Sequence, residues 1–306
     1  MKSLLIAFAT VLWSVLAPAA VINVEFEFTP FVGDVAKPEV EAVPGKARIL
    51  VNNIPIGEQE IRKQSMPVLF ERREIAPAVW ITGQSMALGL RKGKNVLRIE
   101  FEPADAKQAY QTSLKWAQVT DQVTQETRGN ATTTTNQAGE GQERKKAQGK
   151  AVVEKEFVAD FAPERPWHRY PAVGNLSDDD RQKIAALVKE RAEAFAPKFD
   201  RFYKILEAHP NIQVADVKKL KCLDKAYAAG VRIQAPAPAD LDIATTGSAA
   251  VAVARRGGDL FSADQKAFAK LKGNDTQMCV GISLSVAYPP RLVVVRSPEG
   301  VWQVAD

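Results

Sequence analysis

The chain has 306 residues, 46% apolar and 25% charged, with 41 Lys+Arg against 36 Asp+Glu, two Cys and two His. That composition is globular and excludes fibrous, collagen-like and wholly disordered chains. So few cysteines exclude a small disulfide-stapled scaffold. Two histidines exclude a His-rich metal site, and the length allows two domains that each bury a core.

Residues 1–19 read as a secretory signal peptide. Lys2 gives the positive start, Leu4 to Leu16 the apolar stretch, and Ala17-Pro18-Ala19 the small-x-small cleavage site. Pro18 and the polar segment after it argue against a membrane anchor, and no later run reaches spanning length. The expected mature protein is periplasmic or secreted and not membrane-spanning. In an oxidising compartment the only two cysteines, Cys222 and Cys279, are expected to form a disulfide. Loop-closure entropy sets about 4 kcal/mol as the upper figure for that bond.

From residue 20 to 126 the pattern predicts an antiparallel β-sandwich. Ile22, Val24, Phe26 and Phe28 alternate with Asn23, Glu25, Glu27 and Thr29, the signature of a half-buried strand. Further strands are expected at 47–51, 78–81, 96–101 and 114–123, separated by turn residues such as Pro44-Gly45 and Asn52-Asn53. Residues 127–150 contain four consecutive threonines and no large apolar side chain, and read as a flexible loop. Residues 151–176 are expected to return a strand to the sandwich, paired with 114–123, and then to serve as a connector.

Residues 177–306 read as an α+β domain in the order α-α-β-α-β-β-β. Ser177 caps a helix whose first turn carries Asp178, Asp179 and Asp180, where the helix dipole favours negative charge. Pro197 is expected to kink or split it. A second helix is expected over 213–229, a strand over 241–256, and a short helix capped by Ser262. Met278, Val280, Ile282, Leu284 and Val286 alternate with smaller residues and predict a strand, so the disulfide would tie a helix to a strand. Strands at 291–296 and 301–305 close the chain. This order, with its Gly300-Val301-Trp302-Gln303-Val304 ending, resembles the nuclear-transport-factor-like, cystatin-type cone fold. The resemblance implies a sheet curled around helices with a pocket between them, and it fits enzymes and binding modules alike. Gly89 to Ile99 is more distantly similar to the strand entry of accessory β-sandwich modules and implies no ligand.

Chemistry is sparse. Gly83-Gln84-Ser85-Met86-Ala87 has nucleophile-elbow spacing, but the turn at 92–95 leaves little room for the helix such an elbow needs. Ser283 lies inside an alternating run. Asp178 to Asp180 lack calcium-loop spacing. No phosphate-loop, dinucleotide or zinc pattern is present, so no catalytic residue, metal or cofactor is expected. The excess basic charge is spread along the chain, which argues against nucleic acid. The richest stretch is Arg165, Trp167, His168, Arg169 and Tyr170, read as an extended, proline-bounded strap. Trp, Tyr and Arg dominate binding hot spots, so this is the candidate binding surface, and a packed connector is its plainer alternative.

The first expectation is therefore an exported, non-enzymatic envelope binding or assembly protein, whose partner is an envelope protein or a small ligand. A second reading is a pocket protein or enzyme using the C-terminal cone, with Tyr203, Tyr227, Asp242 or Ser283 converging inside it. A third is an inhibitor or immunity-type protein with exposed aromatic anchors.

Overall fold

The computed structural model describes residues 21–33, 40–68, 71–127, 130–209 and 212–305, so the expected signal peptide lies outside the described residues. The protein is a mixed α and β structure with antiparallel sheets, and its N-terminal part is mostly strand. In chain order that part contributes β1 (Asn23–Val32), β2 (Glu41–Ala42), β3 (Gly45–Val51), β4 (Ile54–Ile61), β5 (Gln64–Val68) and β6 (Glu71–Ile75). Then come β7 (Val79–Ile81), the short helix α1 (Gly83–Met86), β8 (Lys94–Pro103), β9 (Ala109–Thr127), β10 (Asn130–Gln148) and β11 (Ala151–Val158).

One sheet runs β10-β9-β1-β2 with β7 also on β1, and a second runs β11-β8-β3-β4. The period of two sets their faces. Phe26 and Phe28 pair in register with Trp116 and Leu114 and point at Ala47, Ile49, Leu97, Ile99 and Phe101 of the second sheet, forming one buried core. Inside it, the Phe101 ring lies 6.0 Å from Phe28 and 5.5 Å from Tyr110. Gly45 has to be glycine there, because a Cβ would sit 2.4 Å from the Glu102 carbonyl and 2.7 Å from the Phe101 ring.

Residues expected as a flexible loop form β10 instead, laddered along β9 from Asn130↔Thr127 to Gln148↔Ala109. A ladder needs backbone groups rather than large apolar side chains, and threonine is a good strand residue. Two positions of β10 are small where they stand opposite rings: Ala147 opposite Tyr110, and Gly141, where a Cβ would lie 2.2 Å from the Trp116 indole. The edge between the sheets is closed by Lys155, which meets Glu143 at 2.7 Å and stands 3.5 Å from the Trp116 ring centre. The expected pairing of 114–123 with a strand returning within 151–176 is therefore replaced. β9 pairs with β10 and β1, while β11 pairs with β8 in the other sheet.

The C-terminal part holds α2 (Asp178–Glu193), α3 (Asp200–Glu207), α4 (Val214–Leu220), α5 (Cys222–Ala228), β12 (Ile233–Gln234), β13 (Leu241–Thr245) and β14 (Ala250–Arg255). It continues with β15 (Ser262–Ala263), α6 (Gln265–Ala269), α7 (Asn274–Ala287), β16 (Leu292–Arg296) and β17 (Trp302–Val304). Ser177 and Asp180 form a capping box at the start of α2. The chain breaks around Pro197, where Lys198 and Phe199 take positive φ. The expected second helix splits at Lys221, also at positive φ, into α4 and α5. Residues 241–256 are a hairpin, not one strand, turning at Gly247.

The segment expected as a strand at 278–286 is helix α7, so the expected α-α-β-α-β-β-β order does not hold. Its alternation coexists with a helical stripe, and the stripe governs: Thr276, Val280, Ser283 and Ala287 are buried while Met278 and Ile282 are exposed. Tertiary packing against α3 and α5 decides the conformation. Cys222 and Cys279 are bonded across 57 residues and thus tie two helices, α5 and α7.

A sheet β13-β14-β16-β17 divides the C-terminal part. On one face Val251, Val253, Leu292 and Val294 pack with Ile184 and Val188 of α2. On the other, Ala250, Val293 and Val295 pack with Ile54 and Trp167. This second face is the seam with the N-terminal strands.

A candidate binding cleft at the seam

β14 reads Ala250-Val251-Ala252-Val253-Ala254, and the period of two sends the valines to the helices and the alanines to the seam. Ala250 is covered by the Ile54 and Trp167 cluster. Farther along, Ala252, Ala254 and the facing Ala244 leave a cleft of about 690 Å³ between β3–β4 and β13–β14.

Charged side chains wall this cleft. Glu58 on β4 is engaged by Lys46 at 2.9 Å and Arg291 at 3.1 Å. The Lys46 hydrogen bond, above all, holds its carboxyl below the usual carboxylate range. Arg48 lies 3.9 Å from Glu100. Arg255 at the end of β14 and Arg256 just after it are exposed at the rim and carry no side-chain hydrogen bond or ion pair among the described residues. Gly257, at φ 77°, turns the chain directly after them. Asp242 and Asp259 complete the charged lining. Two forked guanidiniums without partners are suited to carboxylate or phosphate oxygens, which they bind in pairs of charge-assisted hydrogen bonds.

The strap lies next to this cleft, and Pro166–Arg169 forms a 3-10 turn rather than an extended run. Trp167 is 8% exposed and Tyr170 packs beside it, both inside the seam cluster. The Arg165 guanidinium donates to the carbonyls of Ala87 at 2.8 Å and Leu88 at 3.3 Å, and burial lowers its pKa. Arg169 points outward to Glu164. His168 sets its ring edge-on to Trp167 with centres 4.3 Å apart. Burial, with Arg165 and Arg91 nearby, pushes its pKa below the ordinary value, so the ring is neutral at pH 7. The strap thus brings Arg165, Trp167 and Tyr170 together as a peg in the seam, with Arg169 apart.

Residues expected to converge in a cone do not meet. Tyr203 and Tyr227 flank the rings of Phe195 and Phe199, Ser283 is buried on α7, and Asp242 lines the seam cleft. A cleft lying wholly within 178–306, beside α2 and Trp302, measures about 360 Å³. Ser85 accepts from the Thr82 backbone N–H at 3.0 Å and donates to its carbonyl at 2.8 Å, which makes it a cap. Among the described residues no group of three or more His, Cys, Asp or Glu is placed to hold a metal, and no helix is long and apolar enough to cross a membrane.

Arg255 and Arg256 escaped the sequence reading. Their signal was the alternation of alanine and valine in β14, which marks a strand with one large and one small face, running into Arg-Arg-Gly-Gly. Comparison with protein families, with curated proteins and with solved structures finds no match.

Proposed function

We propose that the chain is an exported, non-enzymatic binding protein of the cell envelope that takes a small anionic ligand in the seam cleft. In this reading an N-terminal β-sandwich and a C-terminal α+β domain are held as one body by the Trp167 peg, and Arg255 and Arg256 grip the ligand. The observation that carries it is the pair of unpartnered guanidiniums above an alanine-floored cleft, whose volume of about 690 Å³ suits a small molecule. Support for export comes from the signal-like start and from the Cys222–Cys279 bond.

Calorimetric titration of the full chain with citrate and with inorganic pyrophosphate tests the proposal. Each charge-assisted hydrogen bond contributes about 1.5–3 kcal/mol, so an Arg255→Ala/Arg256→Ala variant should bind either probe more than tenfold more weakly. Equal affinity in the variant, or no binding of either probe, would defeat this reading.

A second reading keeps the resemblance of residues 177–306 to the cone fold. The sheet β13-β14-β16-β17 packed on α2 favours it, and helix α7 in place of a strand counts against it.

A further inference from the structure

We infer a second binding site, for a neutral saccharide, on the outward face of the β10-β9-β1 sheet, across the N-terminal core from the seam cleft. β7 pairs with β1 so that Val79 stands opposite Phe28 and Ile81 opposite Phe26. Both residues are buried, at 0% and 1% exposure, so the intervening Trp80 must point outward and is 65% exposed. Its position is fixed by the two anchors on either side, and its indole takes no part in the core.

The register extends this into a row. Trp80 stands opposite Glu27, Glu27 opposite Lys115, and Lys115 opposite Gln142. An indole, a carboxylate, an ammonium and an amide thus follow one another across four strands at about 4.8 Å spacing. In the next row Glu25, Ala117 and Glu140 face the same way, and the small Ala117 leaves a dip. A cavity of about 470 Å³ lies over these residues. The polar groups are held in place: Lys115 meets Glu27 at 3.1 Å, and the Asn23 amide donates to Glu25 at 3.2 Å.

This combination selects a ligand class. A pyranose ring offers an apolar C–H face to an aromatic ring and hydroxyls around its rim to carboxylates, amides and ammonium groups. Three carboxylates beside one ammonium repel an acidic sugar. A protein partner would want an exposed apolar centre of several large side chains, whereas the other large apolar residues lining this cavity, Phe26 and Trp116, belong to or pack against the core, and the rest of its lining is charged, amide or small. Because the platform stands on paired strands, little freedom is lost on binding.

The test titrates cellohexaose and chitohexaose into the full chain, read by calorimetry and tryptophan fluorescence, with oligogalacturonate as the acidic control. At least one neutral hexasaccharide is expected to bind, more than tenfold more weakly for Trp80→Ala, with partial rescue by Trp80→Tyr. Gln142→Ala should weaken it further, and Arg255→Ala/Arg256→Ala should leave it unchanged, which separates this site from the seam cleft. An unaltered melting temperature for Trp80→Ala would show that the loss is not one of folding. The proposal is overturned if neither hexasaccharide binds at millimolar concentration, if Trp80→Ala binds as well as the parent, or if oligogalacturonate binds most tightly. Capture of a protein partner that depends on Trp80, with no hexasaccharide bound, assigns the face to protein docking and also overturns it.

Discussion

Between β1 and β11 the core is closed by long-range strand pairing, with Phe28, Phe101 and Tyr110 stacked between two sheets and no covalent link. Between residues 195 and 288 it is closed by short helices. α4 and α5 have 7 residues each and α3 has 8, lengths at which an isolated helix is not stable in water. Those helices exist because Phe195, Phe199 and Phe202 pack among them and because a disulfide joins α5 to α7. A laddered core concentrates its stability in a few large rings, while a core of short helices depends on a constraint along the chain.

The largest expected effect tests the first half of that contrast. Phe101→Ala removes a ring with 0% exposure that touches two other rings, and should cost about 3–5 kcal/mol in denaturant unfolding. A loss under 1 kcal/mol would mean, by that scale, that the rings do not carry the ladder.

Next in size is the constraint. Cys222→Ser with Cys279→Ser should cost about 2–4 kcal/mol, with faster hydrogen exchange confined to 195–288. Equal acceleration in β1–β11 would show that the two regions unfold as one.

Asp180 lies between these extremes, joining helix to sheet. The Trp302 indole N–H donates to one carboxylate oxygen at 2.9 Å, and the Ser177 hydroxyl donates to the other at 2.8 Å. The Trp302 bond first, and then Ser177, lower its pKa from 3.8 to about 2. The folded value lies below the unfolded one, so the stabilisation is complete above about pH 4 and is lost as pH falls through about 2. Asp180→Asn should cost about 1–2 kcal/mol at pH 7 and flatten the acid limb of the stability curve below pH 4. An unchanged acid limb would remove Asp180 from the account.

The smallest effect belongs to the outward face of the second sheet. Arg98, half-buried, bridges Glu100 at 3.0 Å and the exposed Glu154 at 2.9 Å. Arg98→Ala should change stability by less than about 1 kcal/mol, and a larger loss would mean that surface charge, not the buried rings, sets the N-terminal stability.

Strands with clean alternation and turn-bounded ends were legible: the expected segments at 47–51, 96–101 and 114–123 fall within β3, β8 and β9, and the one at 78–81 overlaps β7 from Val79 on. β10 was not, because its pairing comes from the neighbouring β9 and leaves no apolar pattern behind. α7 was misread because Met278 and Ile282 are apolar yet exposed, which completes a false period of two. The aromatic strap was visible as a cluster, but no local pattern distinguishes a tryptophan that plugs a seam from one that greets a ligand. Trp80 presents the same problem in reverse, and only the burial of Val79 and Ile81 around it reveals its direction.

The uneven calibre of β14 offers a lever that charge substitutions do not. Because its valines face α2 and its alanines face the cleft, enlarging Ala252 and Ala254 to leucine would fill the clearance from below while leaving every arginine in place and the helix-facing surface intact. A binding site can thereby be plugged by gauge alone, so that shape and charge are titrated as separate variables on the same strand.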